Sequence, residues 1–256
     1  VLVFLFVFVI PKITSMQNEL DRALPWPTLM LITLTDFLAI CREHDVVRVS
    51  AVGTAVFRRA VDASEFVARI RDTLGLTIEV ISGEDEAALT YRGALASLVP
   101  ATADRLDLAC DIGGHSTELA WGYGSEPAGL RSLDLGTISL ARAHGLDTAA
   151  SSEQVAAARA AVGERLADLP VADPVARLVA IGATPGSLIA LARGEDIADG
   201  SAVHGRPLRR DLVAEQIDRL GSLTTAERRG LAGLHPDRAP VAVSSHADGP
   251  QRQVLG

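Results

Sequence analysis

The string Asp111-Ile-Gly-Gly-His-Ser-Thr-Glu118 combines the residue types from which a phosphate-and-metal cradle is built. Glycines lack Cβ, so backbone amides can converge on an oxyanion. The hydroxyls of Ser116 and Thr117 add donors, and a carboxylate at a strand end can hold a hydrated divalent cation against the same phosphate. Taken alone, the string is equally a tight hairpin whose glycines only supply positive φ. It matches neither GxGxxG, having two glycines, nor GxxxxGK(S/T), since no lysine follows.

A second cluster lies in Ile81-Ser-Gly-Glu-Asp-Glu-Ala87, where Glu84, Asp85 and Glu86 crowd the first turn of a helix. Acids there complement the helix dipole, which is a sufficient structural reason for them. A carboxylate directed into a phosphate-binding cleft could also accept a proton from water, and neighbouring like charges would raise its pKa. A third is Gly53-Thr-Ala-Val-Phe-Arg58-Arg59 after a strand: Arg58 could fork onto phosphate oxygens or lie solvated at the surface. The six histidines show no HxH or HExxH spacing, and only His115, inside the glycine turn, is a ligand candidate. The loop Gly182-Ala-Thr-Pro-Gly-Ser187 offers hydroxyls and glycines, or an ordinary strand-to-helix connection capped by Ser187.

Alternating helices and strands must position these groups. After a turn at Pro25 to Pro27, a helix carries Leu34, Phe37, Leu38 and Cys41 and runs into an alternating strand, Val46 to Val52. A second helix places Phe66, Ile70 and Leu74 on one face and stops at Gly75, before the strand LTIEVI. The next opens at Ser82 as N-cap, with Asp85 in place of the usual Glu or Gln of a capping box. Strands Leu106 to Ile112 and Thr117 to Tyr123, joined by Gly-Gly-His-Ser, form a hairpin. A third strand near LRSLDLG, a helix through residues 151–169, a buried strand RLVAIG, a helix from Ser187 to Arg193 and two short amphipathic helices with Leu212, Ile217 and Leu220 inward complete the pattern. An α/β sheet covered by helices follows.

The 256 residues, 48% of them apolar, suffice for more than one core, which excludes disordered and fibrous classes. A net charge of −8 is the wrong sign for gripping duplex nucleic acid or an anionic membrane over a broad face. Cys41 and Cys110 show no metal or disulfide spacing and suit a reducing compartment. Val1 to Ile10 is a ten-residue apolar run, short of the roughly 20 residues a membrane helix needs. It reads as a buried strand, and residues 244–256 as a frayed tail.

In order, VGTAVFRRAVDASEF, IEVISGEDEAALTYRGAL, LACDIGGHSTELAWG, LDLGTISLA, VHGRPL and LHPDRAP resemble the exopolyphosphatase/guanosine pentaphosphate phosphatase (Ppx/GppA) family. The similarity covers about residues 35 to 243. It implies an α/β actin-like ATPase (ribonuclease H-like) fold, with two lobes and the active-site cleft between them. The expected organisation is an unmatched segment 1–34, a partial first lobe 35–87, a second lobe 88–243 and the tail. The implied activity is a phosphoric anhydride hydrolase that uses Mg²⁺ to release terminal phosphate from inorganic polyphosphate or guanosine pentaphosphate in the cytoplasm. A homodimer is compatible with it.

By position, the resemblance makes Glu86 the base that activates water and Asp111 the acid associated with the metal and the lytic water. It assigns Gly113, Gly114, Ser116 and Thr117 to a phosphate loop, with His115 where the family has a third glycine. Glu118 is the trailing acid at the metal, and Arg58 the arginine reaching the phosphates. The family's Asp-(Ile/Leu)-Gly-Ser-Asn-Ser loop is not found in residues 1–40, and its closing helices are not found after Pro240. A chain truncated at both ends, with an incomplete first lobe, is the expectation. The alternatives are a phosphate- or nucleotide-binding remnant of the same family and an actin-like kinase or ATPase.

Overall fold

A computed structural model of the chain describes residues 26–96, 98, 105–171, 173–195 and 202–243. The apolar run at residues 1–10 and the tail at 244–256 lie outside the described residues. The chain forms two compact units that divide between Ile81 and Ser82.

In the first unit, helix α1 spans Trp26–Glu43. It begins earlier than the leucine spacing indicates, because Pro27 occupies the second helical position, where its missing N–H would have no intrahelical partner anyway. The expected strand Val46 to Val52 is reduced to β1, Ala51–Gly53. Among the described residues no strand pairs with residues 46–50, and Val47 is fully exposed. Short α2 (Ala55–Arg59) follows, then α3 (Ala63–Leu74), which Gly75 ends at φ 67°, a left-handed conformation open to glycine. Strand β2 (Ile78–Val80) pairs parallel with β1, Ala51 opposite Ile78. Phe66 and Ile70 of α3 pack with Leu34, Leu76 and Ile78 into one core, as their spacing requires.

The second unit is built on a four-stranded sheet, order β5-β4-β3-β6, from β3 (Leu106–Ile112), β4 (Thr117–Tyr123), β5 (Glu126–Leu133) and β6 (Val175–Ile181). β3–β4 and β4–β5 are antiparallel, and β6 joins β3 in parallel. Leu106, Leu108, Cys110, Leu119 and Trp121 point to one face and form an apolar cluster with Val175. On the other face lies α4 (Gly83–Ala96), whose Ala87 and Tyr91 pack on Ala109 and Ala120. The expected lobe boundary after residue 87 would cut through this helix. Its apolar side is buried on the β3–β4 sheet, so the whole of α4 belongs to the second unit.

Helices α5 (Thr137–His144), α6 (Ser152–Ala167), α7 (Ala183–Arg193), α8 (Arg210–Gly221) and α9 (Thr225–Arg229) complete the unit, with a 3-10 turn at Pro236–Val241. Leu140, Leu146, Val162, Leu191, Leu220 and Val243 share their core. Two features depart from the sequence reading. Helix α7 starts at Ala183 rather than Ser187. Gly182, not Ser187, is the N-cap, and the Ser187 hydroxyl donates back to the Ala183 carbonyl at 2.8 Å from inside the helix. Helix α5 carries no capping side chain and was not expected. Its first amides are satisfied by the hairpin: Thr137 N–H donates to Gly113 O at 3.0 Å and Ile138 N–H to Gly114 O at 2.8 Å.

Candidate active site on the acidic face of the sheet

Strict alternation along β3 and β4 decides which side chains meet. The register sets Asp111 opposite Glu118, Ala109 opposite Ala120 and Asp107 opposite Gly122, so three acids and a strip of very small residues share one face, with Asp107 paired to the Arg177 guanidinium at 2.7 Å. The small residues let α4 lie close to the sheet, and Tyr91 OH is tied to the Gly124 carbonyl at 3.1 Å. That docking carries the first turn of α4 to the acid pair. Ser82 anchors this turn by accepting from Asp85 N–H at 3.0 Å while its hydroxyl donates to the Asp85 carboxylate at 2.8 Å. Of the three acids in the turn, Glu84 and Asp85 are exposed and Glu86 is half-buried.

The Glu86 charge is felt at both sheet acids. Burial, and secondly the Glu86 charge, raise the Asp111 carboxyl to about 6. Glu118 is 2% exposed, and burial followed by Glu86 pushes it up to about 7. The Asp111 charge adds to this rise, while hydrogen bonds from Ser132 and Ser116 to the carboxylate oppose it. Ser132 stands directly across β4–β5 from Glu118, and its hydroxyl donates to Oε1 at 2.8 Å. Like charges crowded in a desolvated corner are relieved by a cation. Among the described residues no three His, Cys, Asp or Glu side chains converge into a metal cage. Mg²⁺ needs none, since it takes one or two carboxylates and completes its octahedron with water and substrate phosphate oxygens. Asp111 and Glu118 fit that pattern.

The hairpin tip stands beside the acids. Neither Gly113 nor Gly114 has a positive φ, so supplying that conformation is not what requires glycine here. Space requires it at Gly113, where a Cβ would lie 2.9 Å from the backbone Ser116 O, and is tight at Gly114, where one would lie 3.0 Å from the Ile138 side-chain end, Cδ1. The neighbouring loop is tighter, because a Cβ on Gly136 would meet His115 N at 2.4 Å. The tip carbonyls face α5, and the Gly114 and Ser116 N–H groups have no backbone acceptor among the described residues. His115 is half-buried at the same tip. Thr117 points to the opposite face from Asp111 and Glu118, and its buried hydroxyl donates to the Leu135 carbonyl.

Two neighbours escaped the sequence reading. Gly182, at φ 92°, closes β6 so near the acid that a Cβ there would lie 3.1 Å from Asp111 Oδ1. Parallel pairing of Asp111 with Ile181 brings it there, and the chemistry of the GATPGS string gives no sign of it. Ser132 could have been found only from the β4–β5 register. Arg58 lies in the first unit, exposed at the end of α2, where its guanidinium donates to the Ile81 carbonyl at 3.0 Å. It borders a groove of about 590 Å³ that also takes in Phe57, Val61, Ser64, Val67 and Arg71 and none of the three acids.

A hairpin with a glycine tip, carrying acids on which a helix-borne glutamate charge acts, can receive a phosphoryl group together with a cation, and comparison with known proteins gives the family. Residues 28–247 match the Ppx/GppA phosphatase family. The chain belongs to that family and is by that membership a phosphohydrolase with the actin-like α/β fold. It is 34% identical over 217 residues to exopolyphosphatase 2 of Mycobacterium tuberculosis, covering 81% of this chain and 67% of that protein. The crystal structure of the Aquifex aeolicus Ppx/GppA family member matches with a TM-score of 0.76 and 27% identity, over 91% of this chain and 75% of its own. An exopolyphosphatase from Cytophaga hutchinsonii shares the fold, with a TM-score of 0.75 and 24% identity over 86% of this chain and 72% of its own. Among the described residues no helix is long and apolar enough to cross a membrane.

Proposed function

We propose that this protein releases the terminal phosphate of inorganic polyphosphate or guanosine pentaphosphate, with water as nucleophile and Glu86 as its base. The observation that carries the reading is that Asp111 and Glu118 stand opposite each other beside the Gly113–Ser116 tip, where the Glu86 charge acts on both. A terminal phosphoanhydride needs its oxygens shielded, a water held in line and little covalent help from the protein. The Gly114 and Ser116 amides hold phosphate oxygens, with the His115 ring beside them. Asp111 and Glu118 hold Mg²⁺, which when bound neutralises charge on the transferring phosphate. Asp111 also orients the water by accepting one of its protons in a hydrogen bond. Glu86 takes the other proton as oxygen attacks phosphorus, and the bridging oxygen leaves with the shortened polyphosphate or nucleotide.

The substrate is a soluble polyanion bound by local donors, consistent with a net charge of −8, and the protein works in the cytoplasm without duplex nucleic acid or membrane as partner. Phosphate release from polyphosphate and from pppGpp, measured with and without Mg²⁺, tests this. The wild type should release phosphate only with the metal, and Glu86→Gln should lower kcat about 10²- to 10⁴-fold. Equal rates in wild type and variant would remove Glu86 from the chemistry. Polyphosphate binding without release by the wild type would make the chain a binding protein.

A further inference from the structure

The string Leu234-His-Pro-Asp-Arg-Ala-Pro240 is not used by the mechanism above, yet it ends on the helix that abuts Asp111. Arg238 Nη2 donates to Thr184 Oγ1 at 2.9 Å, and Thr184, 1% exposed, is the second residue of α7. Two residues earlier, Gly182 sits against Asp111 Oδ1. The same segment touches α7 further along, where a Cβ on Gly233 would lie 2.4 Å from the Ala190 carbonyl carbon. It is itself pinned by Arg228, which is fully buried. Arg228 donates to the carbonyls of Leu220 at 2.9 Å, Leu146 at 3.1 Å, Thr148 at 2.7 Å and, beside Arg238, Ala239 at 3.4 Å. The segment from Gly233 to Ala239 is thus a strap held by Arg228 and bearing on α7 at Thr184 and Ala190.

Stability does not account for an arginine at this place. Burial pushes the Arg238 guanidinium below its ordinary value, and among the described residues no carboxylate offsets it. A cation beside the first turn of a helix also opposes the helix dipole. A well-packed apolar side chain of similar size would cost less there. We propose that Arg238 is a positioning residue of the hydrolytic site, holding the first turn of α7 through Thr184 so that Gly182 stays seated against Asp111. The inference rests on the proposed function for its kinetic consequence and on geometry alone for its structural one.

The test compares wild type, Arg238→Met, Arg238→Lys and Thr184→Val as full chains. In Arg238→Met the melting temperature should be unchanged or higher, while kcat for Mg²⁺-dependent polyphosphate hydrolysis falls about 10- to 100-fold and KM stays within about threefold, since a small displacement of a catalytic group is enough for that loss. Thr184→Val should follow Arg238→Met, and Arg238→Lys, which still donates, should recover part of kcat. Wild-type kcat in Arg238→Met overturns the proposal, as does a lowered melting temperature that Arg238→Lys reproduces in full. Amide exchange at Gly186 and Ser187, whose helical acceptors lie in the first turn, needs no turnover and should quicken about tenfold in Arg238→Met. Unchanged exchange overturns the positioning role even if the wild type proves inactive, an outcome that would otherwise count against the proposed function alone.

Discussion

The two faces of the β3–β4 hairpin are made from alternate residues of the same fourteen-residue stretch of strand, and they do opposite work. One buries Leu106, Leu108, Cys110, Leu119 and Trp121 and contributes apolar burial, the main favourable term in folding. The other offers Asp111, Glu118 and a floor of alanine and glycine, and it gathers like charges away from water, which opposes folding. The proposed site for a polyanion and a cation lies on the costly face, while the apolar face, one residue out of phase, supplies the stability. Residues of the two faces should therefore separate cleanly into those that govern turnover and those that govern melting.

The sharpest break of that division is Glu86→Gln, which should abolish most phosphate release, as above, while leaving the melting temperature unchanged or raised, because one of three repelling charges is gone. A lowered melting temperature would show that Glu86 has a structural role. Leu108→Ala, on the apolar face, should destabilise by about 2–5 kcal/mol in urea unfolding, with kcat of the folded fraction close to wild type. Ala120→Val joins the two faces: a larger side chain beneath α4 should cost about 1–3 kcal/mol and, by lifting Glu86, also lower kcat, whereas a loss of stability alone would show that α4 does not set the base.

The smallest effect is one of pH. Burial raises the Asp111 carboxyl from its ordinary 3.8 to about 6 and the Glu118 carboxyl from 4.5 to about 7, so the folded state binds more protons than the unfolded state in between. Their protonation therefore favours the folded state at low pH, and this contribution is lost as pH rises through about 6 and 7. In EDTA the melting temperature should fall between pH 5 and pH 8. Glu118→Gln should flatten the slope, and Mg²⁺ at pH 8 should restore stability by binding the ionised pair. A melting temperature that rises over that range in EDTA, with Glu118→Gln unchanged, would mean that the acids are not raised by burial.

Much of this was legible along the chain. The spacing of Phe66, Ile70 and Leu74 gave a helix, and the runs on either side of Gly-Gly-His-Ser gave the hairpin with its true strand limits. The acids at residues 84–86, 111 and 118 stood out by type. What stayed hidden has one cause in each case. Helix α5 is capped by the carbonyls of Gly113 and Gly114, more than twenty residues upstream, so no local signal marks its start. The glycines of the tip read as turn formers, whereas Gly113 is required by the close approach of the Ser116 carbonyl and Gly114 packs tightly against the Ile138 side chain. Thr117 read as a phosphate donor, and strand parity turns it to the far side.

The sequence by itself determined the local chemistry: which residues carry charge, which segments bury an apolar stripe, where glycine leaves room for an anion, and to which family these strings belong. Only the tertiary structure decided how α4 brings the Glu86 charge to the sheet acids, and that Gly182, Ser132 and Arg238 attend the pair. Propensity and periodicity act over a few residues, whereas those choices depend on register between strands and on how closely α4 can approach a floor of Ala109 and Ala120. They are set by packing between segments far apart in the chain.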